Sequence, residues 1–243
     1  MEWAGTQREA DATGLGQHRG DGHAGCLTAA MRIEVWADVV CPWCYIGKKR
    51  LQQALDQRGL TDQVEIVHRA FQLDPTASTT TEPTVDHLAA KYGVSRDEAL
   101  AMMGNVTEVA AGEGLHYRLD LCMTGNTRDA HRLVLWAQET DPATAQRLIE
   151  TMYSAYFEQG RGVFSAEDLV ALAVEAGLDA DAARDVLAGS AYLDQVVQDQ
   201  VLARTFGANG VPFFVIDRAY GVSGAQPVEV FLNALDQASA AQA

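Results

Sequence analysis

The sequence predicts an α/β fold interrupted by a large all-α insertion, and three observations carry that class. Strand-like, helical and again strand-like patterns succeed one another over residues 31–80. Helical periods then run from Thr84 to about Phe206 with almost no strand-like alternation, and after Gly207 two short strands and a closing helix return. A β-α-β half and a β-β-α half therefore flank the insertion, with expected segments 31–80, 81–206 and 207–243.

Residues 1–30 are rich in glycine, alanine and polar residues and show no period that buries a face, so a disordered extension is expected, with Met31 as the natural start. Residues 32–37, Arg-Ile-Glu-Val-Trp-Ala, read as the first strand and lead through Asp38-Val39-Val40 into Cys41-Pro42-Trp43-Cys44. A helix follows at once. Pro42 suits its first turn, where a missing N–H costs nothing, and Ile46, Leu51 and Leu55 supply a buried stripe up to Gly59. The second strand covers residues 64–71, before Asp74-Pro75 breaks it.

In the insertion, helix starts are written as caps: Ser95 with Glu98 as a capping box, Asp141 before Pro142, and Ser165 before Ala-Glu-Asp. Met102, Met103, Val106 and Val109 fall at helical spacing and are assigned to the core rather than to a ligand groove. Strands are expected again at residues 213–217 and 220–223, then a helix opening near Pro227 that carries Val230, Phe231, Ala234 and Leu235.

Composition narrows the function. With 243 residues, 48% of them hydrophobic, the chain can bury a sizeable core. Its 33 acidic against 18 basic residues give a net charge of -15, which repels nucleic acid and anionic lipid, so neither is an expected partner. No apolar run reaches the roughly 18 residues of a membrane span, and the first thirty residues lack the apolar core of a signal peptide. A cytoplasmic location is expected.

Of four cysteines, Cys41 and Cys44 alone are closely spaced, so the pair reads as redox chemistry rather than as a structural bridge or a four-thiolate zinc site. His68 and His116 have no spacing that suggests a metal, and no metal is assigned. The attacking species in disulfide exchange is a thiolate, and the N–H groups and dipole at a helix start favour negative charge on Cys41. Cys44, one turn later, lies on the same side, more shielded, where it can resolve a mixed disulfide. Two buried or metal-bound thiols are the plainer alternative for a lone CxxC. Cys122 is expected to be a packing residue, and Cys26 lies in the extension.

Four stretches carry a family resemblance: Asp38-Val39-Val40-Cys41-Pro42-Trp43-Cys44-Tyr45-Ile46-Gly47; Phe71-Gln72-Leu73-Asp74-Pro75; Asn126-Thr127 through Ala130-His131; and Gly210-Val211-Pro212-Phe213-Phe214. From Met31 to Leu235 the chain resembles the DsbA family of thioredoxin-like proteins, and within it the cytoplasmic FrnE-like branch. The resemblance implies a thioredoxin fold split by the helical insertion, and a disulfide oxidoreductase or isomerase with no cofactor beyond its own dithiol. It implies substrates that are disulfides of proteins or small thiols, glutathione among them. It further implies a cis Val211-Pro212 bond beside the cysteines, with the Val211 backbone free to pair with an extended substrate.

Pro42 and Trp43 are the expected contact surface between the cysteines, and Trp43 stands where strongly oxidising relatives carry histidine, which implies a less oxidising couple. Gln72, Asn126 and His131 complete the expected substrate-side set. Thr127 and His131 share a helix face, which leaves His131 as a proton-transfer group or a hydrogen-bonded packing residue, and Asn126 as a helix cap before a substrate contact. Three other functions compete: a glutathione-dependent isomerase or transferase of the hydroxychromene-carboxylate type, a metal or iron–sulfur protein, and a biosynthetic accessory binder.

Overall fold

The structure, a computed structural model, describes residues 31–242. The expectations for residues 1–30, the disordered extension, the start at Met31 and Cys26 among them, lie outside the described residues. The first half forms strand β1 (Met31–Ala37), helix α1 (Pro42–Arg58) and strand β2 (Val64–Ala70). The second half supplies β5 (Phe213–Ile216), β6 (Tyr220–Ser223) and α9 (Val228–Gln242). These strands make one sheet in the order β2-β1-β5-β6, in which β1 and β2 are parallel and β5 runs antiparallel to both β1 and β6. A parallel pair demands a crossover, and α1 provides it.

Why the halves close on each other follows from their apolar faces. Ile33, Val35, Leu51, Leu55, Phe214, Phe231 and Leu235 form one buried cluster, so α1 and α9 cover the same face of the sheet. Trp36 points the other way, and its indole nitrogen donates to the Asp199 carbonyl at 2.8 Å. Glu34, a charged residue in the middle of β1, is 1% exposed and is held by Arg69 at 2.6 Å and Arg218 at 3.0 Å. Burial works to raise its carboxyl value, and the two guanidinium groups bring it below the usual range.

The insertion holds β3 (Glu82–Pro83), α2 (Thr84–Tyr92), α3 (Arg96–Gly112), β4 (Met123–Thr124), α4 (Arg128–Thr140), α5 (Pro142–Tyr153), α6 (Ala166–Glu175), α7 (Ala180–Ala188) and α8 (Leu193–Thr205). The caps read from sequence are present: Ser95 and Glu98 form the reciprocal capping box, Asp141 accepts from Ala143 and Thr144, and Ser165 accepts from Asp168. Met103 and Val106 are buried and Val109 packs against their cluster, as the core assignment requires, whereas Met102, assigned with them, is only half-buried and is no part of the core. The same cluster takes in Cys41, Cys44, Tyr45 and Ile46, so the helical core runs without a break into the first turn of α1.

Several expectations need correction. The second strand ends at Ala70, and Phe71 instead packs beside Trp36 and Phe213. The fifth strand stops at Ile216 because Asp217 and Arg218 both take positive φ, 49° and 56°, in the turn closed by Ala219 N–H donating to the Ile216 carbonyl. The insertion also contains the two-residue β3–β4 ladder, too short to leave a periodic signal. The helix expected from Asn126 begins at Arg128, after Thr127.

Candidate functional site

The chain leaves β1 at Ala37 and turns at Asp38, whose carbonyl accepts from Cys41 N–H at 3.1 Å, before Pro42 opens α1. Cys41 is the residue that caps α1, with no side-chain capping bond, so its sulfur sits at the positive end of the helix dipole. Cys44 N–H bonds the Cys41 carbonyl at 2.9 Å, which places the second sulfur one turn inside the same helix. Both are free thiols. Tyr117 donates its hydroxyl to the Pro42 carbonyl at 2.7 Å, and Tyr45 stacks between Tyr153 and Tyr117 at 4.9 and 6.2 Å, so an aromatic rack braces the turn from the insertion side.

The opposite wall comes from the second half. Val211-Pro212 is cis, and the Val211 carbonyl accepts from the Cys41 thiol at 3.6 Å. Residues 170 positions apart are thereby joined at the attacking sulfur. The approach is close because Gly47 has no side chain: a Cβ there would lie 2.9 Å from Pro212 Cγ and 3.2 Å from Phe214 Cζ.

Exposure does not follow the expectation of one open and one shielded thiol. Cys41 is 3% exposed and Cys44 2%. What distinguishes them is direction. Cys41 faces the Val211-Pro212 segment, whereas Cys44 lines an inner cavity of about 30 Å³ with Lys48, His68, Gln146 and Tyr153. Burial first, then the hydrogen bond and charge interaction with Cys41, push the Cys44 thiol well above the usual range.

The remaining residues divide into contact and support. Pro42 is buried at the turn, and Trp43 is half-buried with its indole nitrogen enclosed and without a partner. Gln72 and His131 are buried, at 5% and 4% exposed. Gln72 donates to the Asn126 side-chain oxygen at 3.2 Å, and Asn126 in turn donates to the Ala77 carbonyl at 3.0 Å and accepts from Arg128 N–H at 3.0 Å. Asn126 thus stands one position before the residue that caps α4, Thr127, where its side chain bonds the first helical N–H and ties the 72–78 loop. His131 points inward, its Nε2 3.3 Å from Asp38 Oδ1 but misaligned for a hydrogen bond.

Asp38 and His68 belong to the site although sequence reasoning assigned neither to it. Asp38 carried a signal: an acid directly after an apolar strand and three residues before the first cysteine. Its Oδ2 accepts from Leu73 N–H at 2.8 Å, which pins the loop after β2 beside the cysteines. His68, buried in β2, is pushed down to about 4 by burial and by the neighbouring Lys48, with Gln146 acting in the opposite sense. Among the described residues, no group of three or more His, Cys, Asp or Glu side chains is placed to hold a metal ion. No helix among them is long and apolar enough to cross a membrane.

A helix-capping cysteine pair facing a cis-proline segment, on a four-stranded sheet split by helices, defines a thioredoxin-fold protein of the DsbA type. A family model described as a DSBA-like thioredoxin domain matches residues 32–236, and the chain belongs to that family. It is similar to a probable DsbA oxidoreductase from Streptomyces coelicolor, at 48% identity and a TM-score of 0.81 over 86% of this chain and 90% of that one. More distant likenesses, which bear on the fold, are the cytosolic disulfide reductase DsbM from Pseudomonas aeruginosa and a 2-hydroxychromene-2-carboxylate isomerase. Each is 16% identical with a TM-score of 0.61, the reductase over 86% of this chain and 99% of its own, the isomerase over 85% and 95%.

Proposed function

We propose that this chain is a thiol–disulfide oxidoreductase that exchanges disulfides with proteins or small thiols through Cys41 and Cys44. The observation that carries the reading is the pairing of a free thiol at the start of α1 with the Val211 carbonyl of the cis-proline segment. Cys41 attacks one sulfur of a substrate disulfide, forms a mixed disulfide and releases the other half as a thiolate. Cys44 then attacks Cys41, closes the internal disulfide and releases the second half. The substrate gains two electrons, the dithiol loses two, and a thiol of the cell restores it; with an oxidised couple the sequence runs in reverse.

Pro42, Trp43, Val211 and Pro212 form the substrate-facing rim in this reading, with Gln72, Asn126 and His131 behind it. Residues 81–206 act as an inserted domain whose core braces the cysteine turn, and residues 31–80 with 207–243 as two parts of one thioredoxin domain. Trp43 between the cysteines fits the less oxidising couple of this reading, to which the FrnE-like branch and a cytoplasmic setting also belong. The glutathione-dependent isomerase reading has a fold likeness in its favour, while retention of both cysteines favours exchange.

Serine substitutions test the division of labour. Cys41→Ser is expected to lose essentially all exchange activity, and Cys44→Ser to accumulate mixed disulfides under oxidising conditions, visible as adducts by mass spectrometry. If Cys41→Ser is the variant that traps partners, the roles are reversed. If neither variant traps anything and activity persists, the oxidoreductase reading is wrong.

A further inference from the structure

After α5 the helix widens. Residues Ser154–Glu158 form a π-helical turn, in which Gln159 N–H donates to the Ser154 carbonyl, five residues back, at 3.2 Å. Such turns are rare and frequent at functional sites. Here the Phe157 carbonyl accepts from Arg118 N–H at 2.6 Å, and the Glu158 carboxylate accepts from His116 N–H at 3.0 Å. Tyr117 lies between those two anchors, is 5% exposed and stacks on Phe157 at 4.8 Å. The wide turn thus fixes the ring, and the ring aims its hydroxyl at the Pro42 carbonyl, 2.7 Å away in the cysteine turn.

The Pro42 carbonyl and the Trp43 N–H belong to one peptide group, so a donor on the oxygen makes the N–H a stronger donor in turn. Trp43 is the second residue of α1, where helix N–H groups have no helical acceptor. Pro42 has no N–H to offer, and that of Cys44 is taken by the Cys41 carbonyl. A capping side chain draws its bond from the second or third helical N–H, which leaves the Trp43 N–H as the donor at hand for the capping Cys41. As a thiol, Cys41 donates to the Val211 carbonyl. Once that proton is gone the carbonyl has nothing to give the sulfur, and its charge depends on the helix start.

We propose that Tyr117 is a positioning residue for Cys41: through the Pro42–Trp43 peptide its hydroxyl strengthens the hold of the helix start on the Cys41 thiolate, and so makes the Cys41–Cys44 couple more oxidising. This rests on the Cys41–Cys44 reading and adds to it a residue of the insertion. Burial, then negative charge on Cys41, raise the Tyr117 hydroxyl well above its usual range, so it stays a donor when Cys41 is ionised. Asp38, Cys44, Tyr45, Tyr153 and Glu158 are the other titratable groups around the turn, and they are unaltered in the test below.

Tyr117→Phe keeps the ring and removes the donor, whereas replacement of Tyr117 by 3-fluorotyrosine keeps the hydroxyl and makes it a stronger donor. A strengthening of about 10–30% on a charge-assisted hydrogen bond amounts to as much as about fourfold in an equilibrium constant. Labelling of the reduced full chain with iodoacetamide across a pH series, followed at Cys41 by peptide mapping, reads the acid dissociation constant of that thiol. The constant is expected to fall about two- to fourfold in Tyr117→Phe and to rise with fluorotyrosine. Equilibration with glutathione, above the labelling midpoint, reads the couple: glutathione disulfide takes two electrons from the dithiol, the Cys41–Cys44 bond closes, and two glutathione thiols leave with both protons. The oxidised-to-reduced ratio is expected to rise by the same factor in Tyr117→Phe and to fall with fluorotyrosine. A tyrosine that only braces the turn would change stability without moving these constants in opposite directions. Constants that stay put, or that shift the same way for both replacements, overturn the role of Tyr117. If Tyr117→Phe does not fold, the fluorotyrosine protein decides alone, and no rise in the acid dissociation constant overturns the role. Failure of the unaltered dithiol to close against glutathione disulfide overturns the Cys41–Cys44 reading itself, so the two failures are distinguishable.

Discussion

Gly47 and Pro212 sit so close that a single added carbon on Gly47 would come within 2.9 Å of the proline ring. The contact fixes how near the Val211 carbonyl comes to Cys41, because Pro212 is the next residue in the chain and its ring is rigid.

Gly47→Ala is therefore expected to force the 211–212 segment or α1 to shift, since Phe214 Cζ at 3.2 Å blocks the other direction. Overpacking of this kind costs about 1–3 kcal/mol. Urea unfolding should read that loss, and exchange by Cys41 should slow with it. A fully stable, fully active Gly47→Ala protein would mean that the segment yields freely.

Trp43 holds the position between the cysteines without any charge to offer them. In Trp43→His, an imidazole beside Cys41 gains a means of stabilising the reduced, thiolate-bearing form, so the couple should become more oxidising. Equilibration against glutathione should show at least a tenfold change in the oxidised-to-reduced ratio, which corresponds to about 30 mV. A shift in the opposite direction would show that the indole packing matters more than charge.

Glu150 lies where α5 meets α1. Its carboxylate is bound by Lys48, by Lys49 at 2.8 Å and by the Tyr45 hydroxyl at 2.8 Å. Burial works to raise its pKa, but the two lysines and the hydroxyl hold it down at about 2. A depressed carboxyl stabilises the fold fully above its unfolded value, near 4.5, and that contribution disappears as the pH falls towards about 2. With 35% of the Glu150 side chain exposed, water screens the cluster, so Glu150→Gln should cost about 1 kcal/mol at neutral pH. Denaturant midpoints for the two proteins should converge on acidification from pH 5 to pH 2; a gap that widens instead would contradict the assignment.

Cys122 should be chemically silent. It is 3% exposed, its thiol faces the Tyr156 carbonyl at 3.4 Å, and burial pushes it up to about 12. An alkylating reagent at pH 8 is expected to leave Cys122 unmodified in the native protein and to label it after unfolding, as peptide mapping would read. Rapid native labelling would point to local opening between α2 and the segment after α5.

How much of this was legible in the sequence depends on the range over which each feature is encoded. The amino-acid order by itself determined the run of elements, the placement of Cys41 and Cys44 where strand passes into helix, and the helix starts at Ser95, Asp141 and Ser165. These are local signals, carried by side-chain period, by caps that bond within three residues and by proline at a first turn. The enclosure of Cys41, the inward turn of His131, the use of Asn126 as a loop tie and the meeting of Asp38 with His131, 93 positions later in the chain, were decided by tertiary structure. No local period encodes them. They arise because α4 and α5 pack across β2 and the cysteine turn, where apolar burial sets the distance between elements and polar groups must then find partners in the space that remains.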